Sequence, residues 1–178
     1  ALKANAPDLG ANPEMLAFVQ NYTDMGFLSI ILFLFIGAIL TMIVQASAAT
    51  MAITLIMCAN GWIDYHLGVA LVLGENIGTT ITANLAALTG NTQSRRAALA
   101  HLVFNIFGVM WVLVLFYPFT AAVSWLVTDV MNISDPAVAV SFKLAAFHTA
   151  FNISNTFIMI WFVGLIEKTV CFLIKGKK

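Results

Sequence analysis

Charged side chains are missing from four long stretches of this chain: Met25 to Ile63, Asn76 to Ser94, Ala97 to Thr128 and Leu144 to Ile166. Each stretch can hold one membrane span, which takes about 20 residues, or a shorter re-entrant pair. Only 9% of the residues are charged, against about 25% in soluble domains. So few charges cannot make a water-facing surface, and the solvent this pattern fits is a lipid bilayer. The formal net charge is +0, which leaves no electrostatic footprint for nucleic acid. Cys58 and Cys171 lie far apart in apolar surroundings with no metal-site spacing. Neither HExxH, CxxC, a nucleophile elbow nor a phosphate loop occurs. The chain is therefore expected not to be an enzyme and to carry no organic cofactor.

The apolar stretches predict an all-α polytopic membrane protein. Residues 1–24 read as a polar loop followed by a short interfacial helix opened by Pro13 and Glu14. Residues 25–166 read as the transmembrane unit, with firm spans at Met25–Val44, Ala97–Phe119 and about Lys143–Ile166. Residues 167–178 form a basic tail. The positive-inside rule puts Arg95 and Arg96, which precede one span, and Lys168, Lys175, Lys177 and Lys178, which follow the last, on the cytoplasmic face of the cell membrane.

Two polar interruptions stand out within this apolar frame. "QASAAT", Gln45 to Thr50, brings an amide and two hydroxyls among small alanines. If a helix restarts near Ser47, its free N–H groups favour an anion. "GENIGTT", Gly74 to Thr80, separates Leu67–Gly74 from Thr79–Leu88, each too short to span alone. Such a break predicts either a re-entrant hairpin or an interrupted span, and broken helices mark binding sites in secondary transporters. Freed carbonyls with the oxygens of Asn76, Thr79 and Thr80 would suit sodium. Glu75 is an ionisable group at membrane depth, expected to be protonated, paired with His66 or an arginine, or holding a cation. The plainer alternative for both stretches is helix packing through small residues, with hydroxyls bonded back to carbonyls. An internal echo, H-x-x-F-N-I, places His101 with Asn105 and His148 with Asn152, each pair four apart on one helix face. Such residues are expected to face the protein interior, as interhelical hydrogen-bonding groups or around the substrate.

At these residues the chain resembles the sodium-dependent phosphate cotransporter family, type II. That family carries a Q-S-S-S-like segment after an apolar helix and, roughly thirty residues on, G-x-N-I-G-T-T. Here they read "QASAAT" and "GENIGTT", in that order. The "RRAALAHLVFNIFGV" that follows is also similar to the family's second half. Ala46 and Ala48 stand where the family usually has serines, and Glu75 where it commonly has a small residue. The resemblance implies one of two inverted repeats around a shared central site. Gln45, Ser47 and Thr50 would bind inorganic phosphate and sodium together with Asn76, Thr79 and Thr80, and sodium would be held through Gln45, Asn76 and Thr79. Glu75 would add cation or proton coupling. Ala46, His101, Asn105, His148 and Asn152 would stand behind this set. Transport would be sodium-coupled symport by alternating access. One copy of the motif pair implies a partner, either a further repeat of a longer chain or a second copy in a dimer; the missing initiator Met points to the former. A non-transporting scaffold or sensor, and a sodium symporter for another small anion, remain the alternatives.

Overall fold

The computed structural model describes Tyr22, Thr23 and residues 25–176. The expected loop and interfacial helix over 1–24 lie outside the described residues, apart from Tyr22 and Thr23, which are helical. All regular structure among the described residues is helical. The order is α1 (Phe27–Val44), α2 (Ser47–Ala59), α3 (Tyr65–Ala87), α4 (Thr92–Val114), α5 (Phe116–Trp125), α6 (Pro136–Met159) and α7 (Val163–Leu173). Three of these segments are long and apolar enough to cross a membrane: Phe27–Val44, Thr92–Val114 and Pro136–Leu173. Large apolar side chains such as Ile43, Val114, Phe157, Trp161 and Phe172 stand exposed on their outer faces, as lipid contact requires.

Local chemistry sets the helix ends. Asp64 accepts from the Leu67 N–H at 2.8 Å, and Asn91 does the same for Ser94 at 2.8 Å. Asp135 accepts from Ala137 and Val138, with Pro136 in the first turn, where its missing N–H costs nothing. α2 closes with the glycine-ended double bond of a Schellman motif, from Gly61 N–H to Cys58 O and from Trp62 N–H to Met57 O.

The central element is α3. Every residue from Leu67 to Glu75 is buried, walled by α1, α2, α4 and α6. Its 23 residues reach about 34 Å at 1.5 Å per residue. This overturns the sequence expectation of a break at "GENIGTT": Tyr65–Ala87 is one unbroken helix, neither a hairpin nor an interrupted span. Gly74 and Gly78 are spaced four apart to let two backbones touch, not to bend one. A Cβ built at Gly74 would fall on the Leu34 carbonyl and within 2.8 Å of the Ala38 nitrogen. At Gly78 it would meet the Ala38 oxygen at 2.5 Å. These are the small-residue contacts by which membrane helices approach closely. The pairings advance together along both helices, so α1 and α3 run parallel, with α2 running back beside α3.

Two span ends also differ from expectation. The span expected to reach Phe119 stops at Val114, because Pro118 has no N–H for the Val114 carbonyl and its ring clashes with that turn. The last span is continuous to Met159, then tightens into a 3₁₀ turn at Ile160–Phe162 before α7, so α7 crosses the expected boundary at 166/167. Arg96 Nε donates to the Ile174 carbonyl at 3.0 Å. That bond brings the start of α4 and the end of α7, with their basic residues, to one end of the bundle.

Candidate functional site

The first polar stretch does interrupt the backbone. α1 ends where Gln45 takes a left-handed conformation, φ 55° and ψ 23°, with its N–H on the Thr41 carbonyl. Ala46 is extended, and α2 starts at Ser47 with no side chain capping its first N–H groups. The alanine side chain has no oxygen to cap them with, and the Ala46 carbonyl accepts only from Ala49 and Thr50. The depth of this turn follows from the packing. Gly78 sits against Thr41, and α3 runs on to Ala87, about 14 Å further at 1.5 Å per residue. Gln45 lies only about 6 Å beyond Thr41 by the same rise. The turn therefore stops well short of the end of α3, inside the span of the bundle.

Beside this helix start lies a cavity of about 270 Å³, lined by Ser47, Ala48, Met51, Val72, Glu75, Asn76, Thr79 and His148. It falls below the roughly 300–1,000 Å³ of sites for drug-sized ligands, which suits a small ion with a few waters. Glu75 is 5% exposed, and its Oε1 accepts from Thr54 Oγ1 at 2.7 Å. Asn76 Nδ2 donates to the Val72 carbonyl at 3.1 Å, and Thr79 Oγ1 donates to the Glu75 carbonyl at 2.8 Å. Asn76 and Thr79 each spend a donor hydrogen on their own helix and keep an oxygen as an acceptor, while Glu75 only accepts. Because α3 is unbroken, its carbonyls are not freed as expected; the hard oxygen donors at this cavity are side chains.

The sequence-predicted residues thus divide. Ser47, Glu75, Asn76 and Thr79 converge on one cavity, joined by His148 from α6. Gln45 and Ala46 lie exposed on the turn. Thr50 is fully buried behind it, donating to the Ser47 carbonyl at 2.9 Å and paired with Thr41 Oγ1 at 3.3 Å. Thr80 is buried and bonded back to Ile77 at 2.7 Å. The two histidines of the echo are not equivalent. His101 is exposed in a groove between α4 and α7, not interior as expected, although Asn105 one turn on is buried. Asn105 is buried on its own helix, with Nδ2 on the His101 carbonyl at 3.1 Å, and Asn152 makes the same bond to His148 at 2.8 Å. His66 does not meet Glu75; it lies among the rings of Tyr65, Phe116 and Tyr117. No group of three or more His, Cys, Asp or Glu side chains able to hold a metal occurs among the described residues.

Sequence reasoning missed Thr54, Thr41 and Asn155. Thr54 was legible: Ser47, Thr50 and Thr54 fall at i, i+3 and i+7, one polar stripe on α2. Asn155, 0% exposed, accepts from Trp111 Nε1 at 3.2 Å and donates to the Phe104 carbonyl at 3.0 Å, knotting α4 to α6.

Comparison with known proteins bears on this geometry. Uncharacterized protein YqeW of Bacillus subtilis (strain 168) is 34% identical over 144 residues, 81% of this chain and 44% of that protein. Sodium-dependent phosphate transport protein 2B of Rattus norvegicus is 41% identical over 97 residues, 52% of this chain and 13% of that protein. Sodium-dependent phosphate transport protein 2C of Mus musculus is 39% identical over 94 residues, covering 50% of this chain and 16% of that protein. The chain thus spans less than half the length of these relatives. No solved structure matches it. The family described as Na+/Pi-cotransporter matches residues 10–131, a range that holds both polar stretches and helices α1 to α5, and the chain belongs to that family.

Proposed function

We propose that this chain supplies one half of a sodium-coupled symporter for inorganic phosphate working by alternating access. The observation that supports this best is the meeting of an uncapped helix start with a small, mostly apolar cavity into which Glu75, Asn76 and Thr79 also face. The first N–H groups of α2 carry the positive end of the helix dipole and favour an anion. Glu75, Asn76 and Thr79 present hard oxygens, which favour a hard cation. The two ligands need each other. An empty Glu75 carboxylate repels phosphate, and sodium beside it removes that repulsion, so each ligand raises the other's affinity by the same factor. The sodium–phosphate transport named for its mammalian relatives fits this pairing.

The facing half of the site would come from a further repeat or a second copy in a dimer. The basic end of the bundle would lie in the cytoplasm under the positive-inside rule. No organic cofactor or catalytic step is needed, since the sodium gradient drives the cycle.

Uptake of labelled phosphate into vesicles holding the full-length protein tests this. Uptake should need sodium and be lost in Asn76→Ala and Gln45→Ala. If those changes lower only thermal stability and solute binding is untouched, the polar groups serve packing in a scaffold. Sodium-stimulated uptake of another anion that excess phosphate fails to compete would reassign the substrate.

A further inference from the structure

The threonines of this bundle mostly use their hydroxyl protons in one way. Thr41, Thr50, Thr79, Thr80, Thr120 and Thr156 each donate to a carbonyl three or four residues back on their own helix. This is the default for a hydroxyl in an apolar setting, because the carbonyl is always within reach. Thr54 departs from it. Its proton goes to another helix, to Glu75 Oε1 at 2.7 Å, with both side chains buried. A hydroxyl has a single proton to give, so the contact fixes the Thr54 rotamer and one carboxylate oxygen together.

We propose that Thr54 is a positioning residue for Glu75, and that this bond links cation binding on α3 to the placement of the helix start on α2. The inference rests on the reading above that Glu75 holds sodium. On α2, Thr54 makes the one short side-chain bond to a neighbouring helix among the described residues, to Glu75 of α3. Thr50 and Thr41 Oγ1 merely touch at 3.3 Å with their protons given to their own helices, and Cys58 Sγ reaches the Asp64 carbonyl only at 3.6 Å. The remaining contacts of α2 with the core run through apolar groups such as Met51 and Leu55, which can slide. Ser47 opens α2 and lines the same cavity as Glu75. A cation that draws Glu75 toward the cavity therefore pulls on Thr54, and through it sets where the anion-facing N–H groups stand. Thr54 itself does not line the cavity, so it acts through Glu75 and not as a ligand.

The test uses the full-length protein, with two readouts: phosphate uptake against sodium concentration in vesicles, and the sodium-induced rise in thermal midpoint of purified protein without phosphate. Thr54→Val keeps the shape and removes the donor. It should raise the sodium KM about tenfold, the loss expected for one hydrogen bond to a charged group, with kcat at saturating sodium held within about twofold. Thr54→Ser should restore the wild-type KM. In a Glu75→Ala background, which leaves Thr54 no acceptor, Thr54→Val should add nothing, since the two residues act as one unit. An unchanged sodium KM in Thr54→Val, or an equal shift in both backgrounds, overturns the inference. Should Thr54→Val not reach the membrane, Thr54→Cys, a weaker donor, replaces it: an intermediate KM supports the bond and a wild-type KM overturns it. If wild-type uptake ignores sodium but the thermal shift persists and depends on Thr54, symport fails and the Thr54 contact stands. If wild type shows no sodium-induced shift, both fall.

Discussion

Replacing Gly74 by alanine separates two accounts of "GENIGTT" by the sign of one measurement. In an ordinary helix the change stabilises, by about 0.8–1.0 kcal/mol of helix propensity. Here the added methyl falls on the Leu34 carbonyl and 2.8 Å from the Ala38 nitrogen, inside any normal contact. Both are backbone atoms, so no side-chain rotation relieves the clash, and the axes of α1 and α3 must part. Overpacking of a close contact costs about 1–3 kcal/mol. Clash against backbone belongs at the upper end of that range, which leaves a net loss of roughly 1–2 kcal/mol after the propensity gain. The apparent thermal midpoint of detergent-solubilised protein should fall by about 2–4 °C per kcal/mol, as for a domain of this size. Gly164→Ala is the control: nothing lies within 4 Å of a Cβ there, so its midpoint should hold or rise. A raised midpoint in Gly74→Ala would refute the close-packed α1–α3 seam, and with it the position of Glu75 beside α2.

Glu75→Gln keeps an acceptor for Thr54 but removes the charge, so the sodium KM measured by uptake should rise by at least about tenfold; an unchanged value removes Glu75 from the cation site. Asn155→Leu strands the Trp111 N–H and should cost about 1–3 kcal/mol of stability while leaving the sodium KM alone, and a shifted KM would bring Asn155 into the site. Gln45 holds φ 55°, a conformation costing about 1–2 kcal/mol for most side chains. The glutamine already bears that cost, so Gln45→Gly should hold or raise the thermal midpoint relative to wild type, whereas β-branched Gln45→Val should lower it.

The charge-free stretches by themselves determined that this is a helical membrane protein, because a bilayer tolerates neither bare charge nor unpaired backbone. They also located the three firm spans, whereas the helix starts behind Asp64 and Asn91, set by capping contacts within a few residues, went unread: 61–66 read as a turn and 91–96 as a polar loop. A break near Gln45 was one of two readings open for that stretch, the other being an unbroken packing face of small residues, and the left-handed Gln45 decided it.

What the sequence could not settle was anything that depends on a neighbour distant along the chain. Glycine permits both a bend and a close approach, so Gly74 and Gly78 read equally as a break or a packing seam until Leu34 and Ala38 were seen against them. The near-identical motifs around His101 and His148 carry the same local chemistry, yet only α6 turns its histidine toward the cavity. Glu75 found its partner in Thr54, twenty-one residues away, and not in His66, because α2 folds back along α3. Spacing along one helix places residues on a face; which face meets which is decided by the tertiary packing of several helices at once.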